Sequence, residues 1–320
     1  MNIFAGNNSK HILVTGAAGY IGAHVCFALR ECYDFIGIDN YVNSTNENNK
    51  ACIYCDITDE AALRVLFNTY NIYAVIHLAA HKSVEESLLN PKEYYRNNVE
   101  GTLTLLKVME VHKCTKIIFS STACVYKDNQ VSPLTEASEL GALNPYGKSK
   151  LLIEEQLRKY SSWNVIILRY FNPLGGLFKD VSKKEQKNIV PTILDCIASN
   201  KVFHINGCDY QTRDGTCIRD YVNVVDIATG HIKCLDVLDR CKYEVINLGS
   251  GTGVSVLELI AAFEDRLGAK IKKEFKERRT GDAAQYYADI TKANRILNWE
   301  PSLVLQDSVR NILVNAKPSS

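Results

Sequence analysis

Thr15-Gly-Ala-Ala-Gly-Tyr-Ile-Gly22 decides how this chain folds. An apolar run, His11–Thr15, leads into it, and a helical pattern over Ile21–Arg30 leads out of it. Strand, glycine-rich turn and helix in that order make a dinucleotide-binding turn. Gly16 permits the tight bend, Gly19 lets a pyrophosphate approach the backbone, and Gly22 lets helix and strand pack closely. The amides of Tyr20 and Ile21 at the helix start are placed to bind phosphate. Asp39 closes the next apolar run, seventeen residues after Gly22. A carboxylate there takes the adenosine ribose hydroxyls and repels a 2′-phosphate, so NAD is expected rather than NADP. Asp56, at the end of the third run, has two readings: a hydrogen bond to the adenine amine, or the cap of the turn that follows.

Outward from this turn the pattern repeats. Strands are expected over Asp34–Asp39, Ala51–Asp56, Ala74–Leu78, Lys116–Ser120 and Val165–Arg169, and helices over Glu60–Tyr70, Pro91–His112 and Tyr146–Tyr160. This alternation predicts an α/β fold, a Rossmann-type doubly wound parallel sheet with helices on both faces. After Asn172 the regularity fails. Lys179–Lys187 is a charged loop, Ile189–Ser199 and Val256–Leu267 are helical, and Glu244–Leu248 reads as a strand. The expected organisation is an NAD-binding domain over 1–172 and a smaller C-terminal substrate-binding lobe over 173–320. Part of the second half, about 220–250, returns to the first domain. Ligands of such sheets lie at the carboxyl ends of the strands, so the substrate is expected between the lobes.

Composition narrows the function. With 320 residues, 46% hydrophobic, the chain can bury an ample core. Its formal charge of +1 gives no reason to expect nucleic acid or a membrane surface as partner. No run of eighteen apolar residues occurs, and the first ten residues, MNIFAGNNSK, lack the apolar core of a signal peptide. Eleven cysteines, an odd number without a secretory signal, suggest reduced thiols in the cytoplasm. Cys52-Ile-Tyr-Cys55 has metal-ligand spacing, but no second pair or histidine is near it in sequence, and it reads as buried thiols. His77 and His81 lack a third ligand, so no metal is expected. Trp299 reads as core, and Ser120 and Ser121 have no Ser-His-Asp arrangement around them.

The chemistry is expected at Asn144-Pro-Tyr-Gly-Lys-Ser-Lys150. Tyr146 and Lys150 stand four apart at a helix start and project from one face. A lysine cation beside a tyrosine favours the phenolate, which makes a general base suited to a sugar or alcohol hydroxyl. Alone, this spacing is weak evidence, because any helix can carry it.

Taken together, these residues resemble the extended short-chain dehydrogenase/reductase family, and within it the enzymes that epimerise UDP-glucose and UDP-galactose at C4. The resemblance spans about residues 11–300. It rests on TGAAGYIGAH (15–24), DNYVNS (39–44), HLAAHKSVEES (77–87), YYRNNVEGT (94–102), FSSTACVY (119–126), NPYGKSK (144–150), LRYFNPLG (168–175), RDGTCIRDYVNV (213–224), and RRTGD (278–282) followed by AD (288–289). It implies that Tyr146, Lys150 and Thr122 are catalytic. For the cofactor it implies Asp39, Asn40, Tyr41, Val42, Asn43, Ser44, Asp56 and Ile57 at the adenosine. Leu78, Ala79, Ala80 and Lys82 follow along the strand end, and Asn97, Tyr146, Lys150 and Phe171 complete the set. Asn172, Asn188 and Ile189 fall on the substrate side, where Arg219, Arg279 and Asp282 match positions that hold the UDP. His204, Ile205 and Asn206 correspond to a main-chain strip that reads uracil, and Tyr286 to the position that limits the hexose pocket. The resemblance further implies a homodimer through paired helices, Pro91–His112 and Tyr146–Tyr160, and a place in galactose metabolism.

This chain departs from the family pattern at Phe178–Gln186, Asn206 and Asn223, which bear on the uridine pocket. A nucleotide-sugar 4,6-dehydratase needs an Asp-Glu pair after the threonine, where this chain has Ala123-Cys124. A UDP-glucuronate epimerase or decarboxylase, and a non-catalytic NAD sensor on the same fold, are the remaining alternatives. A sensor has no need of the Tyr–Lys pair.

Overall fold

The computed structural model describes residues 9–45, 49, 51–128, 130–178, 188–279 and 282–316. The Lys179–Lys187 segment therefore lies outside the described residues. The strands are β1 (His11–Thr15), β2 (Phe35–Asp39), β3 (Ile53–Tyr54), β4 (Ile72–His77), β5 (Lys116–Thr122), β6 (Asn164–Tyr170), β7 (Asn172–Leu174), β8 (Phe203–Asn206), β9 (Ile218–Asn223), β10 (Tyr243–Leu248), β11 (Gly253–Ser255), β12 (Lys273–Lys276) and β13 (Gln285–Tyr286). The helices are α1 (Tyr20–Leu29), α2 (Glu60–Thr69), α3 (Val84–Leu89), α4 (Pro91–Tyr94), α5 (Gly101–Val111), α6 (Pro145–Leu157), α7 (Ile189–Ser199), α8 (Val224–Val237), α9 (Val256–Leu267), α10 (Thr291–Leu297) and α11 (Leu305–Ala316).

A parallel sheet ordered β10-β6-β5-β4-β1-β2-β3 forms the centre. Its strands are apolar on both faces because helices cover both. Alternate residues feed two cores. Ile12, Val14, Ile76, Ile118 and Ile166 pack under α1 and α8 with Val25, Leu29, Ile227 and Leu235. Leu13, Val75, Ile117, Phe119 and Val165 face the other way, toward Leu63 and Phe67 of α2, Leu105 and Met109 of α5, and Ile153 and Leu157 of α6.

The parallel sheet and its two helical layers follow the sequence pattern. The third strand is shorter than expected, because Ile53–Tyr54 is an exposed edge that pairs with the end of β2 alone. Three further elements carry no clear periodicity in sequence. In β9, Arg219 and Asp220 interrupt the apolar run, yet Asp220 is buried because it accepts backbone amides from Ser250, Gly251 and Ala288. In α8, Asp226 and His231 are buried, each satisfied by hydrogen bonds, so its apolar face is masked. The third is α3, only Val84–Leu89 long.

β10 pairs with β6 along its whole length, and α8 packs on α1, so the chain returns to the central sheet after β9. The remainder makes a smaller layer: β11-β9-β13 with β7 alongside β9, and the parallel pair β8–β12. Its own core gathers Ile193, Phe203, Ile205, Leu259, Phe263 and Val309.

Candidate active site

The glycine turn joins β1 to α1. Gly16 has φ +69°, and a Cβ on it would stand 2.7 Å from the Ala79 amide nitrogen. A Cβ on Gly22 would lie 2.0 Å from the Gly16 carbonyl oxygen, so α1 cannot sit where it does with any other residue there. At Gly19 a Cβ would meet only the Gly16 oxygen, at 3.3 Å, leaving the outer side of the turn open for a phosphate. The Thr15 hydroxyl accepts from the amides of Leu78 and Ala79 (3.2 and 3.1 Å), fixing that wall against the turn. The side chain of Tyr20 is held by its hydroxyl on the Gly175 carbonyl (2.6 Å), and Lys82 lies over its ring at 5.9 Å.

The carboxylate of Asp39 accepts from the Ala18 and Tyr41 amides and the Ser44 hydroxyl (3.1, 2.8 and 2.9 Å). It thereby organises the loop on which Asn40, Tyr41, Val42, Asn43 and Ser44 stand. Tyr41 takes a left-handed conformation, φ 55°, in that loop. Asn43 Oδ1 is buried and has no hydrogen-bond partner among the described residues. Asp56 caps the following turn, accepting from Thr58 N and Oγ1, and its other oxygen takes Asn40 Nδ2. Burial raises its pKa, but these bonds and the Arg96 charge outweigh that and hold it below the usual carboxylate value. The turn-capping reading of Asp56 is thus present in the structure. Ile57 packs in the core under Gly101. Asn40, Val42, Asp56 and Asn97, with Thr58, His81, Glu93 and Arg96, line a hollow of about 190 Å³. The open turn at Gly19, this hollow and the orphaned Asn43 oxygen fit a dinucleotide.

Helix α6 carries Tyr146 and Lys150. Its N-cap is Asn144, whose Oδ1 accepts from the Gly147 amide at 2.8 Å, and Pro145 opens the first turn. A Cβ on Gly147 would lie 2.4 Å from the Cys124 carbonyl oxygen, so glycine lets α6 close on the turn after β5. Lys150 is buried, donates to the Ser120 carbonyl at 2.7 Å, and stands 4.8 Å from the Phe119 ring centre. Burial pulls its pKa down to about 7, with Glu154 opposing. Burial also pushes the Tyr146 phenol above its ordinary value, with Cys124 and Tyr94 acting in the same direction and the Thr122 hydroxyl opposing. The Lys150 charge therefore does not by itself decide the state of the phenol: desolvation of the phenol outweighs other influences, and the lysine donates to the Ser120 carbonyl.

Lys150 has a folded pKa below its unfolded value of 10.5. The cost of burying its charge is thus present in full below about pH 7 and disappears as the pH rises toward 10.5. In the cofactor-free protein, Lys150→Met is expected to raise the melting temperature most at or below pH 7, with the gain shrinking toward pH 10. Paired melts across that range measure it; a gain that does not vary with pH would contradict the assignment.

On the substrate side, Tyr286 pairs with Arg219 in register between β13 and β9. Its hydroxyl donates to the Ala123 carbonyl at 2.6 Å, and its ring stands 6.0 Å from Phe171. Tyr286 thereby ties the segment after Thr122 to the strand that carries Arg219. Arg219 donates to the Ile218 and Ala283 carbonyls and pairs with Asp282 at 3.3 Å. Asn172 Nδ2 donates to the Asp220 carbonyl at 2.8 Å. Asn188 caps the start of α7 and Ile189 is its first residue. The amides of Phe203 and Gly207 bond to β12, so by strand alternation those of His204 and Asn206 face the opposite edge, while the Ile205 side chain is buried. Arg279 is exposed and shares an open depression of about 920 Å³ with Asn206, Cys208, Phe275 and Arg278.

His77 and His81 hold hydrogen bonds, and among the described residues no group of three or more His, Cys, Asp or Glu is placed to bind a metal. The sequence reading missed Asp220, Asn98, Cys124 and the buried pair Glu154–Arg169. Four of them, Asp220, Asn98, Cys124 and Arg169, lie inside the motifs quoted above, and Glu154 follows NPYGKSK by four residues; how deeply a polar side chain is buried has no signature in sequence.

Fold and site together define a Rossmann enzyme with a dinucleotide-binding turn, carrying Tyr146 and Lys150 on α6. The chain belongs to the NAD dependent epimerase/dehydratase family, whose profile matches residues 12–249. It is 41% identical to UDP-glucose 4-epimerase 2 of Arabidopsis thaliana over 95% of this chain and 94% of that protein. It is likewise 41% identical to the UDP-glucose 4-epimerase of Bacillus subtilis, over 92% and 94%. The structure of UDP-glucose 4-epimerase from Bifidobacterium longum in complex with NAD+ and UDP matches with a TM-score of 0.88 and 40% identity, covering 95% of this chain and 97% of that one.

Proposed function

We propose that the chain interconverts UDP-galactose and UDP-glucose by inversion at sugar C4, with NAD held in the cleft throughout. The relatives reported above support the reaction. The observation that carries it over dehydration is the turn Ala123–Val125 after Thr122, which brings no carboxylate to the sugar and offers a carbonyl that fixes Tyr286. Bound NAD supplies a two-electron acceptor that can also return what it takes.

The residues of the chain do the rest. Gly16, Gly19, Gly22 and the amides of Tyr20 and Ile21 take the pyrophosphate. Asp39 and its loop take the adenosine ribose, and Leu78, Ala79, Ala80, Lys82, Asn97 and Phe171 line the path beyond. Tyr146 holds the proton of the C4 hydroxyl and gives it back. Thr122, both donor and acceptor, bridges that proton between sugar and phenol. Lys150, when cationic, stabilises the phenolate. Arg219 and Arg279 clamp the diphosphate, Asp282 the uridine ribose, and the main chain of His204–Asn206 the uracil. Asn172 and Asn188 leave the hexose only neutral partners, so the 4-keto sugar can turn its other face while UDP stays fixed.

Incubation with UDP-galactose, followed by NMR, tests the reading. UDP-glucose is the expected product; a 4-keto-6-deoxy sugar would mean dehydratase, and no turnover with NAD bound would mean a sensor. Tyr286, anchored on Ala123, leaves little room beside the hexose. UDP-N-acetylglucosamine is therefore expected to react at least about ten-fold more slowly than UDP-glucose, and comparable rates would overturn that assignment.

The working form is a homodimer through α5 and α6, which leave Leu103 and Leu152 exposed at 38% and 43%; sedimentation equilibrium reads this directly. A cytoplasmic setting is supported by eleven unpaired cysteines, and no described helix is long and apolar enough to cross a membrane.

A further inference from the structure

The reaction proposed above gives His81 no part, yet its side chain stands on the cofactor side of the molecule. Its ring is buried, packs on Tyr94 with 5.4 Å between ring centres, and helps to line the hollow of about 190 Å³. Two groups meet its two nitrogens. Nδ1 stands 2.6 Å from Asn43 Nδ2, and Nε2 stands 3.8 Å from Glu93 Oε1. Glu93 in turn lies 3.7 Å from Arg96.

These contacts share one assignment of protons. An amide nitrogen only donates, so Nδ1 carries a lone pair and accepts. A neutral imidazole has one proton, which then belongs to Nε2, on the side of the Glu93 carboxylate. The amide donor and the carboxylate thus select the same tautomer. With Nδ2 committed to His81, the oxygen is the end of the Asn43 amide left to serve another group. That oxygen is buried and has no hydrogen-bond partner among the described residues. Buried acceptors are rarely left unpaired, so it is suited to a donor that a ligand brings. Asn43 stands between Tyr41 and Ser44, which both donate to the Asp39 carboxylate. The adenosine half of NAD has donors of the right kind in its ribose hydroxyls and its adenine amine.

We propose that His81 is a positioning residue for the cofactor: by accepting from Asn43 Nδ2, it turns the amide so that its oxygen serves a donor on the adenosine half of NAD. The reverse orientation would set N–H against that donor, and the bond would be lost. His81 acts through Asn43 and needs no contact with NAD. The inference rests on the proposed place of the adenosine at the Asp39 loop, not on the reaction.

Release of NAD from the NAD-loaded full chain, followed by exchange with labelled NAD, reads this link. His81→Leu leaves the Asn43 amide without its acceptor and is expected to speed release about ten-fold, the worth of roughly one hydrogen bond. His81→Asn sets an amide oxygen where Nδ1 stood and is expected to stay within about three-fold of wild type. It loses the ring packed on Tyr94 just as leucine does, so equal acceleration in both variants would mark a purely structural ring and overturn the proposal. Asn43→Ala is expected to match His81→Leu, and the double variant to be no faster than either, because one residue acts through the other. A double variant about 100-fold faster than wild type would show independent contributions and also overturn it. Wild-type release in Asn43→Ala would remove the adenosine from this loop, and the role of His81 with it. Faster release in Asn43→Ala with none in His81→Leu would overturn the role of His81 alone. Should His81→Leu fail to fold, Asn43→Ala and His81→Asn decide: faster release in the first with retention in the second supports the proposal, and any other pairing overturns it. Exchange of nicotinamide hypoxanthine dinucleotide, which lacks the adenine amine, tells the two donors apart. The effect of Asn43→Ala vanishes there if the amine is the partner and persists if a ribose hydroxyl is, and either result supports the proposal.

Discussion

Tyr146→Phe is expected to reduce kcat for UDP-galactose by about 10²–10⁴-fold, the range that loss of a positioned acid–base group commands, while NAD stays bound. Phenylalanine keeps the ring, and only the hydroxyl to which the proposed reaction assigns the C4 proton is gone. Retention of NAD follows because the phosphate turn, the Asp39 loop and the Leu78–Ala79 wall are each fixed by contacts that do not include Tyr146. The same experiment reads the cost of burial. Because burial raises the phenol above its ordinary value, the free site holds Tyr146 protonated at neutral pH. Ionisation therefore requires Lys150 to be charged, and its pKa of about 7 makes that charge sensitive to its surroundings. A bound ligand that strengthens the cationic form of Lys150 would raise the phenolate fraction with it. Quantified by stopped assay with NAD content measured on the same sample, a Phe variant within ten-fold of wild type would remove Tyr146 from the proton path.

The glycine turn was legible in sequence because each of its glycines answers a separate steric demand, and Gly16 and Gly22 meet theirs at 2.7 and 2.0 Å. The parallel sheet was legible because parallel strands covered on both faces leave runs such as Val165–Leu168, all fully buried. That Tyr146 and Lys150 share the start of one helix was legible from their spacing. What sequence could not show is where polar groups go when they leave solvent. Asn98 looks like any asparagine of a helix, yet it is buried within the π turn Tyr95–Glu100. Asp220 looks like half of an ion pair with its neighbour Arg219, yet it serves backbone amides on two other segments while Arg219 turns to Asp282. The lowering of the Tyr146 pKa by Lys150 was inferred from proximity alone, and desolvation, a property of the folded surroundings, reverses it.

Glu154→Gln is expected to cost about 3–5 kcal/mol of stability, the usual result of leaving one buried charge without its partner. Glu154 and Arg169 are 3% and 1% exposed, and Arg169 Nη2 reaches Oε2 at 2.6 Å and Nε reaches Oε1 at 3.1 Å. Ser121 donates to the same carboxylate, and Arg169 lies 4.8 Å from the Tyr126 ring centre. The pair therefore bolts α6 to β5 and β6 one turn beyond Lys150. Replacing both partners, as Glu154→Leu with Arg169→Met, is expected to recover most of the loss, because the penalty lies in the orphaned charge. The substitution also reaches the chemistry. Glu154 is the group that opposes burial in setting the Lys150 pKa, so its removal should push that pKa below about 7. The sign follows: a lysine with a lower pKa is neutral over more of the neutral range and regains its charge only as the pH falls. The pH optimum for turnover should then move downward in Glu154→Gln, alongside a melting temperature lower by roughly 10 °C. An unmoved pH profile in a destabilised variant would confine Glu154 to holding the helix; an unmoved melting temperature would show that the buried pair contributes little.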